Sequence, residues 1–170
     1  VGNSNAMLEV LKTTSQVCRT ESTVLVTGES GTGKELIARA IHYNSLRKDG
    51  PFVVINCGAL PENLQESELF GHMRGAFTGA IRDKVGLFLQ AQKGTILLDE
   101  IGETAPSTQV KLLRFLQDGE IRPVGGNKAI YVDARIVAAT NENLEKAVES
   151  GKFRKDFFYR VNVIRIHLPS

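Results

Sequence analysis

The apolar run Thr23-Val24-Leu25-Val26-Thr27 ends at Gly28 and passes without a break into Gly28-Glu29-Ser30-Gly31-Thr32-Gly33-Lys34-Glu35, after which Leu36 to Ile41 is built from good helix formers. A strand apolar at nearly every position belongs inside a sheet covered on both faces. The turn that follows it must aim successive backbone N–H groups inward, and the helix it opens adds a partial positive charge at its N-terminus. Together these make a cradle for phosphate oxygens, with the G-x4-G-K spacing of a P-loop in its required strand-to-helix context. Gly28, Glu29, Ser30, Gly31, Thr32, Gly33, Lys34 and Glu35 are the candidate nucleotide-binding residues, and Lys34 supplies a point charge to the β and γ phosphates. Glu35 stands where Ser or Thr usually helps to hold Mg²⁺, so the ion must be held by water, phosphate and another carboxylate.

The strand–helix alternation repeats downstream. Phe52 to Asn56, Thr95 to Asp99, Arg135 to Thr140 and Val163 to His167 read as four more strands. Helical stretches are expected at Met7 to Val17 (capped by Ser4 or Asn5), Pro61 to Phe70, Val85 to Gln90, Ser107 to Asp118, Leu144 to Ser150 and Phe153 to Val161. Apolar strands joined by helices imply an α/β fold: three layers, with a five-stranded, mainly parallel sheet between helices. Two segments interrupt the pattern. Glu120 to Asp133 reads as a β-hairpin turning at Gly125-Gly126-Asn127. Gly71 to Ala80 carries three glycines and reads as a loop insertion with a working surface.

The second strong chemical signal is Thr95-Ile96-Leu97-Leu98-Asp99-Glu100, a buried strand ending in two acids. Ligands of such sheets bind at the carboxyl ends of the strands. Asp99 is the candidate for orienting hydrated Mg²⁺, and Glu100 for polarising the attacking water.

Composition excludes several other classes. The chain has 170 residues, 21 Lys+Arg against 19 Asp+Glu and a net charge of +2, which suits one globular domain and offers little long-range attraction to a nucleic-acid backbone. No apolar run approaches the roughly 20 residues of a membrane span, and no signal-peptide pattern opens the chain. Cys18 and Cys57 lie far apart, as reduced cytosolic thiols do, and His42, His72 and His167 lack ligand spacing. The final Pro169-Ser170 follows an apolar run with no terminal helix, so the chain reads as a fragment cut before a further element.

Four segments, GESGTGKE (28–35), ELFGHMRGAFTGA (68–80), GTILLDEIGE (94–103) and FRKDFFYRVNV (153–163), resemble the central domain of bacterial enhancer-binding proteins, the NtrC family. These are cytoplasmic AAA+ ATPases, many of them in two-component systems, that act on RNA polymerase carrying sigma-54. The resemblance runs from Val1 to Pro169, and its most specific element is Gly75-Ala76-Phe77-Thr78-Gly79-Ala80. It implies a Walker A cradle for ATP and Mg²⁺, a Walker B pair at Asp99 and Glu100, and sigma-54 contact through residues 75–80, led by an exposed Phe77 and by Thr78. The hairpin around Gly125 would support that loop. Asn56 would hydrogen-bond Glu100 as a switch, Thr140 and Asn141 would sense the γ-phosphate, and Val1 and Gly2 would lie near the base. Arg154 and Arg160 would complete the catalytic set, acting in trans on a neighbouring subunit of a hexameric or heptameric ring.

The resemblance also makes Glu35 a usual residue. Met73 departs from it, standing where the family commonly carries an acid at the base of the loop, and Phe157-Phe158 replaces Leu-Tyr. Beyond residue 170 the family pattern continues into an Arg-bearing turn, a helical lid and a DNA-binding helix-turn-helix, so residues 1–170 are expected to be the α/β subdomain alone. Two other readings remain open. One is a lidless nucleotide-binding module without efficient turnover. The other is a small-molecule kinase, for which no acceptor-binding segment is evident and the 75–80 loop has no use.

Overall fold

The computed structural model describes residues 4–170; Val1 and Gly2, expected near the base, lie outside the described residues. The elements follow in the order α1 (Asn5–Val17), β1 (Val24–Thr27), α2 (Lys34–Tyr43), β2 (Phe52–Asn56), α3 (Glu62–Phe70), β3 (Gly71–His72), β4 (Lys84–Val85), α4 (Leu87–Gln90), β5 (Thr95–Asp99), α5 (Pro106–Asp118), β6 (Glu120–Ile121), β7 (Ile130–Tyr131), β8 (Arg135–Thr140), α6 (Leu144–Glu149), α7 (Lys155–Val161) and β9 (Ile164–His167). The main sheet has the order β2-β5-β8-β1-β9, and every pairing in it is parallel. All five expected strands are therefore present, and the sheet is parallel throughout.

Alternation along the strands divides the core in two. Val24, Val26, Leu97, Val137 and Ala139 face α1 and α2, where they meet Val10, Val17, Ile37 and Ile41. Leu25, Ile96, Leu98, Ile136 and Ala138 face the opposite way, onto Leu69 of α3, Phe88 of α4, Leu112 of α5 and Phe157 and Val161 of α7. Phe157 and Phe158 are both buried, so the exchange from Leu-Tyr is absorbed as apolar volume.

The helix expected over Val85 to Gln90 is a single turn beginning at Leu87, and Lys84–Val85 instead pairs antiparallel with Gly71–His72. The cause is a close crossing of two glycines. A Cβ on Gly86 would collide with the Gly71 nitrogen, and Gly71 has φ 82°. A two-residue pairing has no period for the sequence to display. The expected hairpin forms between β6 and β7, which pair only at Glu120–Tyr131 and Ile121–Ile130. Ser4, of the two cap candidates, accepts the hydrogen bond from Met7 N–H at 3.1 Å.

Two buried polar side chains brace the far end of the sheet. Arg135, only 2% exposed, donates to the Val17, Cys18 and Ser22 carbonyls, which ties the C-terminus of α1 to the central strand β8. His42 is fully buried, with Nδ1 2.8 Å from the Thr95 hydroxyl and Nε2 3.1 Å from the Gly50 carbonyl. A carbonyl only accepts, so Nε2 carries the proton and Nδ1 accepts from Thr95. Burial, reinforced by the Arg47 charge, pushes the His42 pKa below its ordinary value. The unfolded chain therefore takes up a proton near pH 6.5 that the fold resists, and the His42 contribution to stability is complete above that pH and declines below it. In urea titrations the stability advantage of the protein over His42→Gln should shrink between pH 7.5 and 5.5, with a slope of at most about 1.4 kcal/mol per pH unit.

Candidate functional site

Parallel register brings the carboxyl ends of four strands to one edge. Asn56 stands opposite Asp99, and Thr140 opposite Thr27, the last residue before the Gly-rich turn. Gly28 N–H donates to the Thr140 carbonyl at 3.3 Å, carrying the alignment one residue into the turn.

The turn 28–33 is a closed cradle. Gly33 caps α2 with φ 95°, in the left-handed region that a glycine enters without a Cβ clash. Thr32 Oγ1 donates to the Glu29 carbonyl at 2.7 Å, and Lys34 Nζ arches back to the Gly28 and Glu29 carbonyls, both at 2.8 Å. The Lys34 ammonium is thereby held over the loop, beside the backbone N–H groups of the turn. Ser30 Oγ accepts from Asn141 Nδ2 at 3.0 Å, so the expected sensor touches the cradle directly. The Glu35 carboxylate pairs with Arg39 Nη2 at 2.9 Å, one turn along α2, so its side chain belongs to the helix surface.

Asp99 and Glu100 are set apart by their backbone. Asp99 Oδ1 accepts the Glu100 N–H at 2.9 Å, and Glu100 itself sits at φ 51°, ψ 49°. For a non-glycine residue that conformation costs on the order of 1–3 kcal/mol. It swings the Glu100 carboxylate across Gly58, so that a Cβ at 58 would displace Oε2 from this position. Glu100 then lines a cleft of 380 Å³ with Gly58, Gly102, Glu103, Thr140, Asn141 and Glu142. One carboxylate at Asp99, beside a cradle for phosphate, suits Mg²⁺, which keeps several waters and takes one or two protein carboxylates.

Two expected contacts are arranged differently. Asn56 Oδ1 accepts the Gly58 N–H at 2.9 Å. Among the described residues no hydrogen bond joins Asn56 to Glu100; both side chains instead meet at Gly58. Thr140 is fully buried and its hydroxyl accepts the Glu142 N–H at 3.0 Å, so it shapes the turn while Asn141 reaches the loop. Neither Arg154 nor Arg160 lines the Glu100 cleft. Arg154 holds Asp156 through Nε and Nη2, at 3.0 and 2.9 Å, beside a separate surface groove. Arg160 is exposed and, among the described residues, has no ion pair.

Glu142 and Lys152 lie in no motif of the sequence, and Glu103 closes the 94–103 segment without an expected role. Glu103 and Glu142 hydrogen-bond to each other, which pushes the Glu142 pKa up and the Glu103 pKa down, and Lys152 Nζ stands 3.1–3.4 Å from both. Cys57 is inert: burial, with the Asp99 and Glu100 charges adding, pushes its thiol up to about 12.

The 75–80 loop stands on the β3–β4 stem. Gly75 N–H donates to the Ala80 carbonyl at 2.8 Å, and Arg74 N–H to Asp83 Oδ1 at 2.7 Å. Thr78 is exposed, and Phe77 is 39% exposed with its ring edge-on to His72 at 4.9 Å. The hairpin does support this loop: Met73 N–H donates to the Val124 carbonyl and Val124 N–H to the Gly71 carbonyl. Met73, in place of an acid, brings its side chain to 3.4 Å from the Cβ position of Gly126, while Asp83 supplies the carboxylate at the base.

Residues 1–167 match the family described as the sigma-54 interaction domain. The Nif-specific regulatory protein of Enterobacter agglomerans is 59% identical over 170 residues, which is all of this chain and 33% of that protein. The regulatory protein AtoC of Escherichia coli K12 is 58% identical over 167 residues, 98% of this chain and 36% of that protein. NtrX from Brucella abortus in complex with ATP superposes with a TM-score of 0.92 at 40% identity, covering all of this chain and 36% of that one. The chain thus spans about a third of the length of these relatives. With its P-loop, acidic strand end and 75–80 loop on a wholly parallel sheet, and with the family match running over residues 1–167, the chain belongs to the sigma-54 interaction domain family.

Proposed function

We propose that the chain is the ATP-hydrolysing core of a sigma-54-dependent transcriptional activator, remodelling the polymerase complex through residues 75–80. The observation that supports this reading is that Asn141, hydrogen-bonded to Ser30 of the Gly-rich turn, lines the same cleft as Glu100. ATP bound by NtrX, a relative at 40% identity, supports the nucleotide.

In this reading the cradle N–H groups and Lys34 hold the phosphates, and Asp99 would hold hydrated Mg²⁺, which would supply neutralisation of the phosphate charge. Glu100 takes a proton from the attacking water, and Asn141 senses the γ-phosphate. Arg154 and Arg160, neither of which lines the chain's own cleft, would enter the cleft of a neighbouring copy in a hexameric or heptameric ring and stabilise charge on the transferring phosphoryl group. Phe77 and Thr78 would meet sigma-54. DNA binding and the helical lid would belong to other parts of the longer parent protein, with residues 1–170 its α/β subdomain.

Glu100→Gln in the parent protein should keep ATP affinity within about twofold and lower kcat by a factor of about 10²–10⁴, measured by phosphate release. Unchanged kcat would remove Glu100 as the base. Thr78→Ala should retain ATPase activity and lose sigma-54-dependent transcription in vitro; retained transcription would overturn the loop assignment. The separation of the arginines from the cleft favours one further reading for residues 1–170 alone, a module that binds ATP with little turnover. ATPase activity per subunit that rises steeply with protein concentration would exclude that module, whereas flat, negligible turnover would establish it.

A further inference from the structure

Gln109, in the first half of α5, is completely buried. Its Nε2 donates to the Thr104 carbonyl at 2.9 Å and to the Lys152 carbonyl at 3.1 Å, while its Oε1 accepts the Arg154 N–H at 2.8 Å. A primary amide has two donors on one side and an acceptor on the other, and here all three are matched by backbone groups of the right polarity. Neither a carboxylate nor an apolar isostere can satisfy the set.

The backbone groups come from two segments with different duties. Thr104 closes the turn that begins at Glu100, and its neighbour Glu103 lines the cleft. Lys152 and Arg154 bracket Phe153, the buried plug that stacks on Phe157 at 5.0 Å just before α7. The Lys152 ammonium, on the same short segment, grips Glu103 and Glu142 at the cleft. The origin of the Arg154 side chain is therefore held rigidly against the turn of the chain's own base, although the guanidinium stays exposed.

Gln109 joins the turn that serves the chain's own nucleotide to the segment whose arginine serves a neighbour's. We propose that Gln109 is a positioning residue for Arg154, so that catalysis at the neighbouring copy's site depends on it. This rests on the proposed action of Arg154 in trans.

The experiment uses rings of the whole parent protein. Gln109→Leu should bind ATP with unchanged affinity and lose about a hundredfold in kcat, the scale of a misplaced catalytic group. The deciding measurement mixes it with Glu100→Gln, whose own site is dead and whose Arg154 is intact. Turnover should return to about a quarter of the wild-type value, because about one junction in four then pairs a competent base with a well-held arginine. Arg154→Ala, mixed in the same way, should be rescued alike. Rescue of Arg154→Ala without rescue of Gln109→Leu overturns the role of Gln109 alone, because the defect then lies in the chain's own site or its folding. Rescue of neither overturns the trans reading and the inference with it. If Gln109→Leu fails to assemble, Gln109→Glu is mixed in its place with the same outcomes decisive, since it keeps the acceptor for Arg154 N–H and lacks both donors.

Discussion

The parallel pairing of β8 with both β1 and β5 is the constraint on which the rest depends. Parallel strands run the same way, so their carboxyl ends collect at one edge, and register decides which residues meet there. With Val26 opposite Ala139 and Leu98 opposite Ala138, the Gly-rich turn, the acids after β5 and the polar turn after β8 become neighbours. A slip of one residue would turn every strand side chain to the opposite face. The two core clusters prevent it, since Val24, Val26, Val137 and Ala139 fit one helical layer and Leu25, Ile136 and Ala138 the other.

Around that edge the polar side chains hold backbone as much as they face ligand. Asn56 fixes Gly58, Thr140 fixes the turn at Glu142, and Gln65 of α3 joins the Cys57 and Glu103 carbonyls to the Ala105 N–H. A buried network is stable only when every member is satisfied, and the buried glutamines Gln65 and Gln109 meet that condition. The left-handed backbone at Glu100 is held in this frame, with Asp99 bonding its N–H and Gly58 leaving room for its carboxylate. α3 leads directly into β3 and the 75–80 loop, so Gln65 also connects the carboxyl edge of the sheet to the element that carries Phe77.

The strands were legible because burial on both faces produces apolar runs. The cradle was legible because glycines at that spacing, set between a strand and a helix, are rarely met outside phosphate-binding loops. Boundaries at Val85 and Gly86 were not legible, since a close crossing of two glycine backbones has no periodicity. Gln65 and Gln109 were missed for another reason. Each is a polar residue on the core face of a helix, a signal that identifies a buried amide but not its partners. The expected Asn56–Glu100 contact came from resemblance, and the structure places Gly58 between the two.

The amino-acid sequence by itself determined the α/β class, the Gly-rich turn between β1 and α2, the acidic strand end and the 75–80 loop. These are local patterns in which residue type and spacing dictate conformation. The tertiary structure alone decided that Asn141, and not Thr140, reaches the cradle, that Asn56 bonds Gly58, and that Arg154 lies away from its own cleft while its backbone is tied to it through Gln109. Each of these depends on where distant segments meet in the sheet, and hydrogen-bond partners are chosen by that proximity, which no local pattern encodes.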